Sequence, residues 1–172
     1  MNIPVILGTA RVGRYSEKVA NFVLSQVKKA NLSTELIDVR DYRIAATDNL
    51  CEIPQAKNLA DKIRKSDALI MVMPEYNHGF PGELKMMLDM LYEEYEGKPV
   101  GFCGVSAGPL GGARGVQLLK LVCSGVGMYP IKEGVYFGNI QQLFDQAGNI
   151  TDATYERKME GLISALTAKV SS

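Results

Sequence analysis

The feature that most constrains the fold of this chain is the alternation of short apolar runs with longer segments of helical period. Strand-length apolar runs occur at residues 5–7, 36–39, 68–73 and 100–105, with a weaker fifth near 135–137. Because these runs lack a regular alternation of polar and apolar side chains, we expect strands covered on both faces, as in a parallel sheet.

The segments between these runs place apolar residues on one helical face. A first helix is expected to begin near Ser16 and a second at Pro54, while the last helical segment has Tyr155 and Met159 on its apolar face. Strands that alternate with helices predict a doubly wound α/β domain with helices on both faces of the sheet. The 172 residues contain no long linker or repeat, so we expect one domain over residues 1–172.

Charge and cysteine content exclude several classes of protein. Nineteen lysines and arginines balance nineteen aspartates and glutamates, so we expect neither nucleic acid nor an anionic membrane as the main partner. No apolar stretch is long enough to span a bilayer, and the first residues do not resemble a signal peptide. Three cysteines at unrelated spacings exclude a disulfide framework. We expect Cys51, Cys103 and Cys123 to be free thiols of a cytoplasmic protein.

The loop of residues 8–16, between the first strand and the first helix, has the composition of a phosphate-binding site. Thr9, Arg11, Arg14 and Ser16 supply charged and hydroxyl groups directly before a helix N-terminus. The loop is not a P-loop, because the glycine-lysine-serine ending is missing, and it matches a dinucleotide fingerprint only in part. We predict that it binds a phosphate monoester. The alternative is that Ser16 caps the helix and the arginines are solvated.

Two further loops follow apolar strands and could hold a flat heterocycle. In the loop 74–82, Tyr76 could pack against such a ring, and His78 is the only histidine, which excludes a histidine-rich metal site. The loop 106–114 contains Ser106 and three glycines, whose N–H groups could stabilise negative charge on a ligand. No motif of nucleophilic or metal catalysis is present, which predicts that a bound cofactor carries the chemistry.

The segment 82–92 predicts a helix whose apolar residues cover too wide an arc for one core contact. Leucines and methionines occupy both flanks, and only Lys85 and Asp89 are left to face water. We expect this helix to join subunits in a homodimer or homotetramer. The alternative is a deeply buried central helix.

Taken in order along the chain, three motifs carry a resemblance to a known family. They are Gly8-Thr9-x-Arg11-x-x-Arg14-x-Ser16, Pro74-Glu75-Tyr76-Asn77-x-Gly79-x-Pro81-Gly82-x-Leu84-Lys85, and Ser106-Ala107-Gly108-x-x-Gly111-Gly112. They resemble the NADPH-dependent FMN reductase family, which includes flavodoxin-like quinone, azo-dye and chromate reductases. The resemblance extends to about Pro130, and its central motif is the most specific. The family often has asparagine where this chain has Met86.

The resemblance implies a flavodoxin-like fold with five parallel strands in the order 2-1-3-4-5, FMN as the cofactor, and a dimer or tetramer. It places the FMN phosphate near Thr9, Arg11, Arg14 and Ser16. It places the isoalloxazine ring at Pro74, Glu75, Tyr76, Asn77, Ser106, Gly108 and Gly111.

We therefore expect an enzyme in which hydride passes from NADPH or NADH to flavin N5 and the electrons then pass to a small molecule. That acceptor would be a quinone, an azo compound, a metal oxyanion or free flavin. No side chain is expected to carry the redox step, and no metal is expected. Two alternatives are a flavodoxin-type electron carrier and a dinucleotide-dependent dehydrogenase in which Asp38 would bind the ribose.

Overall fold

The computed structural model describes residues 1–47 and 52–172 of the chain. In these residues strands and helices alternate as follows: β1 Val5–Leu7, α1 Ser16–Lys29, β2 Leu36–Asp38, α2 Pro54–Arg64, β3 Leu69–Pro74, α3 Gly82–Leu88, β4 Pro99–Val105, α4 Ala113–Gly125, β5 Tyr129–Phe137 and α5 Thr154–Val170. The strands form one parallel sheet in the order β2-β1-β3-β4-β5. The predicted doubly wound fold and its strand order are confirmed.

The sheet separates two apolar layers, which explains why its strands show no polar alternation. In β1, Val5 and Leu7 pack with α1 and α5, whereas Ile6 between them packs with α2, α3 and α4 on the other face. All three side chains are fully buried. Neighbouring strand residues point to opposite faces, so a strand with helices on both sides must be apolar at every position.

The helix predicted over 82–92 is shorter than expected. It ends at Leu88, because the N–H groups of Met90 and Leu91 bond to carbonyls three residues earlier and the chain turns away. Met90 and Leu91 are 4% and 5% exposed and join the core of the same chain. Of the large apolar residues in the segment, Met86 and Tyr92 are the exposed ones. The structure thus agrees better with the alternative of a buried helix than with a helix that has a wide, exposed apolar face.

Two cysteines are inert components of the core. Cys103 and Cys123 are buried free thiols, and burial raises the pKa of the Cys123 thiol to about 12 and that of Cys103 as well. Cys51 lies outside the described residues. Over the described ranges, no helix has the length and apolar character that crossing a membrane requires.

Candidate functional site

Three loops meet at the carboxyl edge of the sheet, where doubly wound proteins bind their ligands. We call them the first loop (8–15, after β1), the second loop (75–81, after β3) and the third loop (106–112, after β4). The first loop and Ser16, together with the starts of the second and third loops, line a cleft of about 360 Å³, which Ile140 and Gln141 close from the turn after β5. The three loops that the sequence motifs occupy therefore meet at one edge of the sheet.

Ser16 has an unsatisfied hydroxyl in this cleft. It is the first residue of the fourteen-residue helix α1 and is 1% exposed. Its Oγ has no hydrogen-bond partner among the described residues. A buried hydroxyl without a partner is uncommon in a folded protein, and at a helix N-terminus it suits an anionic ligand. Arg11 lies in the same cleft with an exposed side chain, 6.0 Å from the centre of the Tyr76 ring.

Arg14 has a different environment from Arg11. Its side chain is 2% exposed, and it donates to both carboxylate oxygens of Asp38, to the carbonyl of Thr9 and to Glu17. Partial burial alone would raise the pKa of Asp38, but the hydrogen bond and charge of Arg14 outweigh it and the pKa of Asp38 is lowered. Asp38, considered above as a ribose ligand, is thus fully engaged within the protein.

A second arginine, which lies outside the three sequence motifs, also holds the first loop. Arg40 follows β2 and donates to the carbonyl oxygens of Ala10 at 3.3 Å and Arg11 at 2.7 Å. With Arg14 on the carbonyl of Thr9, three successive carbonyls are bound by two guanidinium groups. Charge-assisted bonds therefore fix the shape of the loop. An arginine just after the neighbouring strand β2 is the sequence signal that could have predicted this contact.

Thr9 connects the first loop to the second. It is fully buried, its Oγ1 lies 2.9 Å from the hydroxyl of Tyr76, and it also accepts the N–H of Arg11. Its hydroxyl therefore orients Tyr76 and does not open onto the cleft.

The second loop contains a tight hairpin turn. Tyr76 and Gly79 exchange two backbone hydrogen bonds of 3.0 and 2.8 Å. Asn77 and His78 between them both have positive φ, at 50° and 65°. This pattern is that of a two-residue turn with left-handed backbone at both positions. Both side chains are exposed at its tip.

Glu75 connects the second loop to helix α4. Its side chain is 11% exposed, and its Oε2 accepts the N–H groups of Arg114 at 3.1 Å and Gly115 at 3.4 Å. These N–H groups lie in the first turn of α4, which has no partner for them within the helix. Glu75 is therefore an N-terminal cap contributed from a distant loop.

The third loop is packed tightly against the sheet. Gly111 has a φ of +59°, and a Cβ there would approach the backbone of Tyr136 and Phe137 within 2.8 Å. Packing thus requires glycine at this position. Ser106 donates to the carbonyl of Gly108 at 2.8 Å. Ser106 and Gly108 line a second cleft of about 550 Å³ with Asn77, His78 and Arg114, and Glu75 borders both clefts.

The site as a whole contains binding groups rather than reacting ones. Thr9, Arg14 and Glu75 are engaged in shaping loops, whereas Arg11, Asn77 and His78 are exposed and the Ser16 hydroxyl has no partner among the described residues. No group of three or more His, Cys, Asp or Glu side chains in residues 1–47 and 52–172 could hold a metal ion. Such an arrangement can bind and orient a phosphorylated cofactor, which would carry the chemistry.

The fold and this site define a flavodoxin-like protein, and comparisons with known proteins agree. The sequence matches the NADPH-dependent FMN reductase family over residues 1–142. It is 32% identical over 162 residues to a quinone reductase from Pseudomonas putida, covering 89% of this chain and 86% of the relative. It is 28% identical over 168 residues to an NAD(P)H-dependent FMN reductase from Pseudomonas aeruginosa, covering 94% and 90%.

Solved structures show the same fold. FerB, a flavoenzyme NAD(P)H:(acceptor) oxidoreductase from Paracoccus denitrificans, superposes with a TM-score of 0.84 at 24% identity, covering 99% of this chain and 97% of that one. The chain belongs to the NADPH-dependent FMN reductase family. It is therefore an FMN-dependent oxidoreductase that uses NAD(P)H, as the resemblance implied.

Proposed function

We propose that this enzyme reduces quinones and that its first loop binds the phosphate of FMN. The observation that supports the phosphate site most is the unpartnered, buried hydroxyl of Ser16 beside exposed Arg11. A phosphate dianion needs charge-assisted donors, and the N-terminus of α1 adds a positive dipole end. Arg14 and Thr9 would support this site by shaping the loop, because their polar groups are already engaged.

The second and third loops would hold the isoalloxazine ring. Pro74, Glu75 and Tyr76 line the first cleft, Asn77 and Gly108 line the second, and Ser106 borders both. Gly111 would contribute indirectly, because its close packing on β5 sets the path of the third loop. When bound, FMN supplies the redox chemistry, taking hydride from NADPH or NADH and passing electrons to the acceptor. The protein side chains would bind the FMN, orient it and shield it.

A quinone is the acceptor we favour, because the relative from Pseudomonas putida is a quinone reductase. The protein should be loaded with FMN, and oxidation of NADPH and of NADH should be followed with a benzoquinone, an azo dye, chromate or free FMN as acceptor. We expect FMN-dependent turnover that is fastest with the quinone. FMN binding without turnover would instead indicate an electron carrier, and tight NADPH binding without flavin would indicate a dehydrogenase.

We also propose a cytoplasmic homodimer or homotetramer built from one domain per chain. The two buried free thiols fit a reducing compartment. Met86 and Tyr92, from the segment 82–92, lie on the sheet face that also carries α4, where Leu118 and Leu121 are exposed. Sedimentation should give a mass above 18.8 kDa for the wild type and a lower mass for Leu121→Glu, whereas a wild-type monomer would contradict this proposal.

A further inference from the structure

We propose that the carboxylate of Glu75 determines how tightly the site binds reduced relative to oxidised FMN. It would do so by neutralising the N-terminus of α4, without bonding to the ring itself. This inference rests on the proposed function, since it needs FMN to lie between the second and third loops.

The contacts of Glu75 place a full negative charge at a helix end. Oε2 accepts two N–H groups of the first turn of α4, and Oε1 lies 3.5 Å from Nη1 of Arg114. The helix has thirteen residues, and its N-terminus carries the equivalent of about half a positive charge. Arg114 is 53% exposed, so solvent screens its charge far more than that of the nearly buried carboxylate.

The carboxylate is held in this position by the packing of the second loop on α4. A Cβ at Gly115 would lie 2.7 Å from the carbonyl oxygen of Gly79 and 3.0 Å from Met73. The first turn of α4 and the hairpin turn therefore touch at their backbones. Glu75 precedes that hairpin directly, so this packing keeps its backbone beside the helix end, where the two N–H groups of α4 hold its carboxylate.

The carboxylate of Glu75 reverses the electrostatic effect that the N-terminus of α4 would otherwise have on reduced FMN. Reduction of FMN by one hydride adds two electrons and one proton, which leaves one negative charge on the ring near neutral pH. An uncapped N-terminus of α4 beside the ring would favour that charge. The charge of Glu75 opposes it, so the site binds reduced FMN less tightly, and bound reduced FMN is a stronger reductant.

The test is the ratio of the dissociation constants for oxidised and reduced FMN, measured anaerobically in Glu75→Gln. The amide oxygen can still accept an N–H from α4, so the variant should fold. We expect the ratio to move about tenfold in favour of reduced FMN, which equals about +30 mV for a two-electron couple. Glu160→Gln, which removes an exposed charge from α5, should leave the ratio unchanged.

A second variant separates charge from capping. Glu75→Asp keeps the charge but shortens the side chain, so it should lose stability while its ratio stays within about twofold of wild type. A Glu75→Gln ratio within twofold of wild type, in protein that binds FMN, would overturn this inference alone. Wild-type protein that binds FMN in neither redox state would overturn the proposed function and this inference together.

Discussion

Arg11 and Arg14 lie three residues apart in one loop, yet only Arg11 is free to meet a ligand. Arg14 is enclosed by Asp38, Glu17 and the carbonyl of Thr9. A buried guanidinium with a bidentate carboxylate partner stabilises the loop only while the pair is intact. We infer that the loop is built around Arg14 and binds through Arg11 and Ser16.

Asp38→Asn should destabilise the protein at neutral pH by about 2–4 kcal/mol, because it removes the bidentate carboxylate partner of the buried Arg14 and leaves, among the described residues, only the single carboxylate contact with Glu17. The folded-state pKa of Asp38 is lowered, so its contribution is complete above the unfolded pKa of about 3.9 and disappears as pH falls through the lower folded pKa. Urea unfolding of both proteins between pH 3 and pH 7 measures this. If the difference in unfolding free energy between the wild type and Asp38→Asn stays constant below about pH 4, the lowered pKa of Asp38 is contradicted.

His78 occupies a backbone position that glycine adopts more easily. Its φ of 65° costs an ordinary side chain some free energy, and the second residue of such turns is commonly glycine. His78→Gly should therefore stabilise the fold by about 0.5–1 kcal/mol in thermal or urea unfolding. Asn77→Gly is the matched control and should gain less, because asparagine tolerates the left-handed region. A loss of stability in His78→Gly would contradict this account of the turn.

At the scale of elements, the contact between α4 and the second loop can be tested with a pair of glycines. Gly161→Ala, in an exposed part of α5 with open space at its Cβ, should gain about 0.5–1 kcal/mol from helix propensity. Gly115→Ala should instead lose about 1–3 kcal/mol, because its Cβ would press on the carbonyl of Gly79. Equal gains from both substitutions in urea unfolding would show that the hairpin and the helix do not touch.

The hydrophobic pattern predicted the order of strands and helices correctly, but it predicted an end for α3 that is four residues too late. Strands β1, β3 and β4 were evident, because burial on both faces makes them apolar throughout. The edge strand β5 begins at Tyr129, earlier than the run predicted near 135–137, because Lys132 and Glu133 are exposed and interrupt the apolar pattern. The helix expected over 82–92 ends at Leu88, although the apolar pattern continues through Met90 and Leu91. Periodicity reports which residues are buried, and a turn that returns to the same core buries them equally well.

For the molecule as a whole, the family resemblance implied the sheet order, and the alternation of strands and helices predicted which loops follow the carboxyl ends of the strands. The sequence could not assign individual partners that lie far apart in the chain. Thr9 bonds to Tyr76, and Glu75 bonds to the first turn of α4, across 67 and 39 to 40 residues respectively. Hydroxyls, carboxylates and arginines in a loop suggest a ligand, whereas this fold uses Thr9, Arg14 and Glu75 to join its loops to other elements.

The most direct test of the account compares the binding of FMN with that of riboflavin, which lacks the phosphate. We expect the wild type to bind FMN about 100-fold more tightly, consistent with two charge-assisted hydrogen bonds. In Arg11→Ala/Ser16→Ala the preference should fall below about tenfold, with riboflavin affinity little changed. Equal affinity of the wild type for the two flavins, or an undiminished preference in the double variant, would contradict a phosphate site in the first loop.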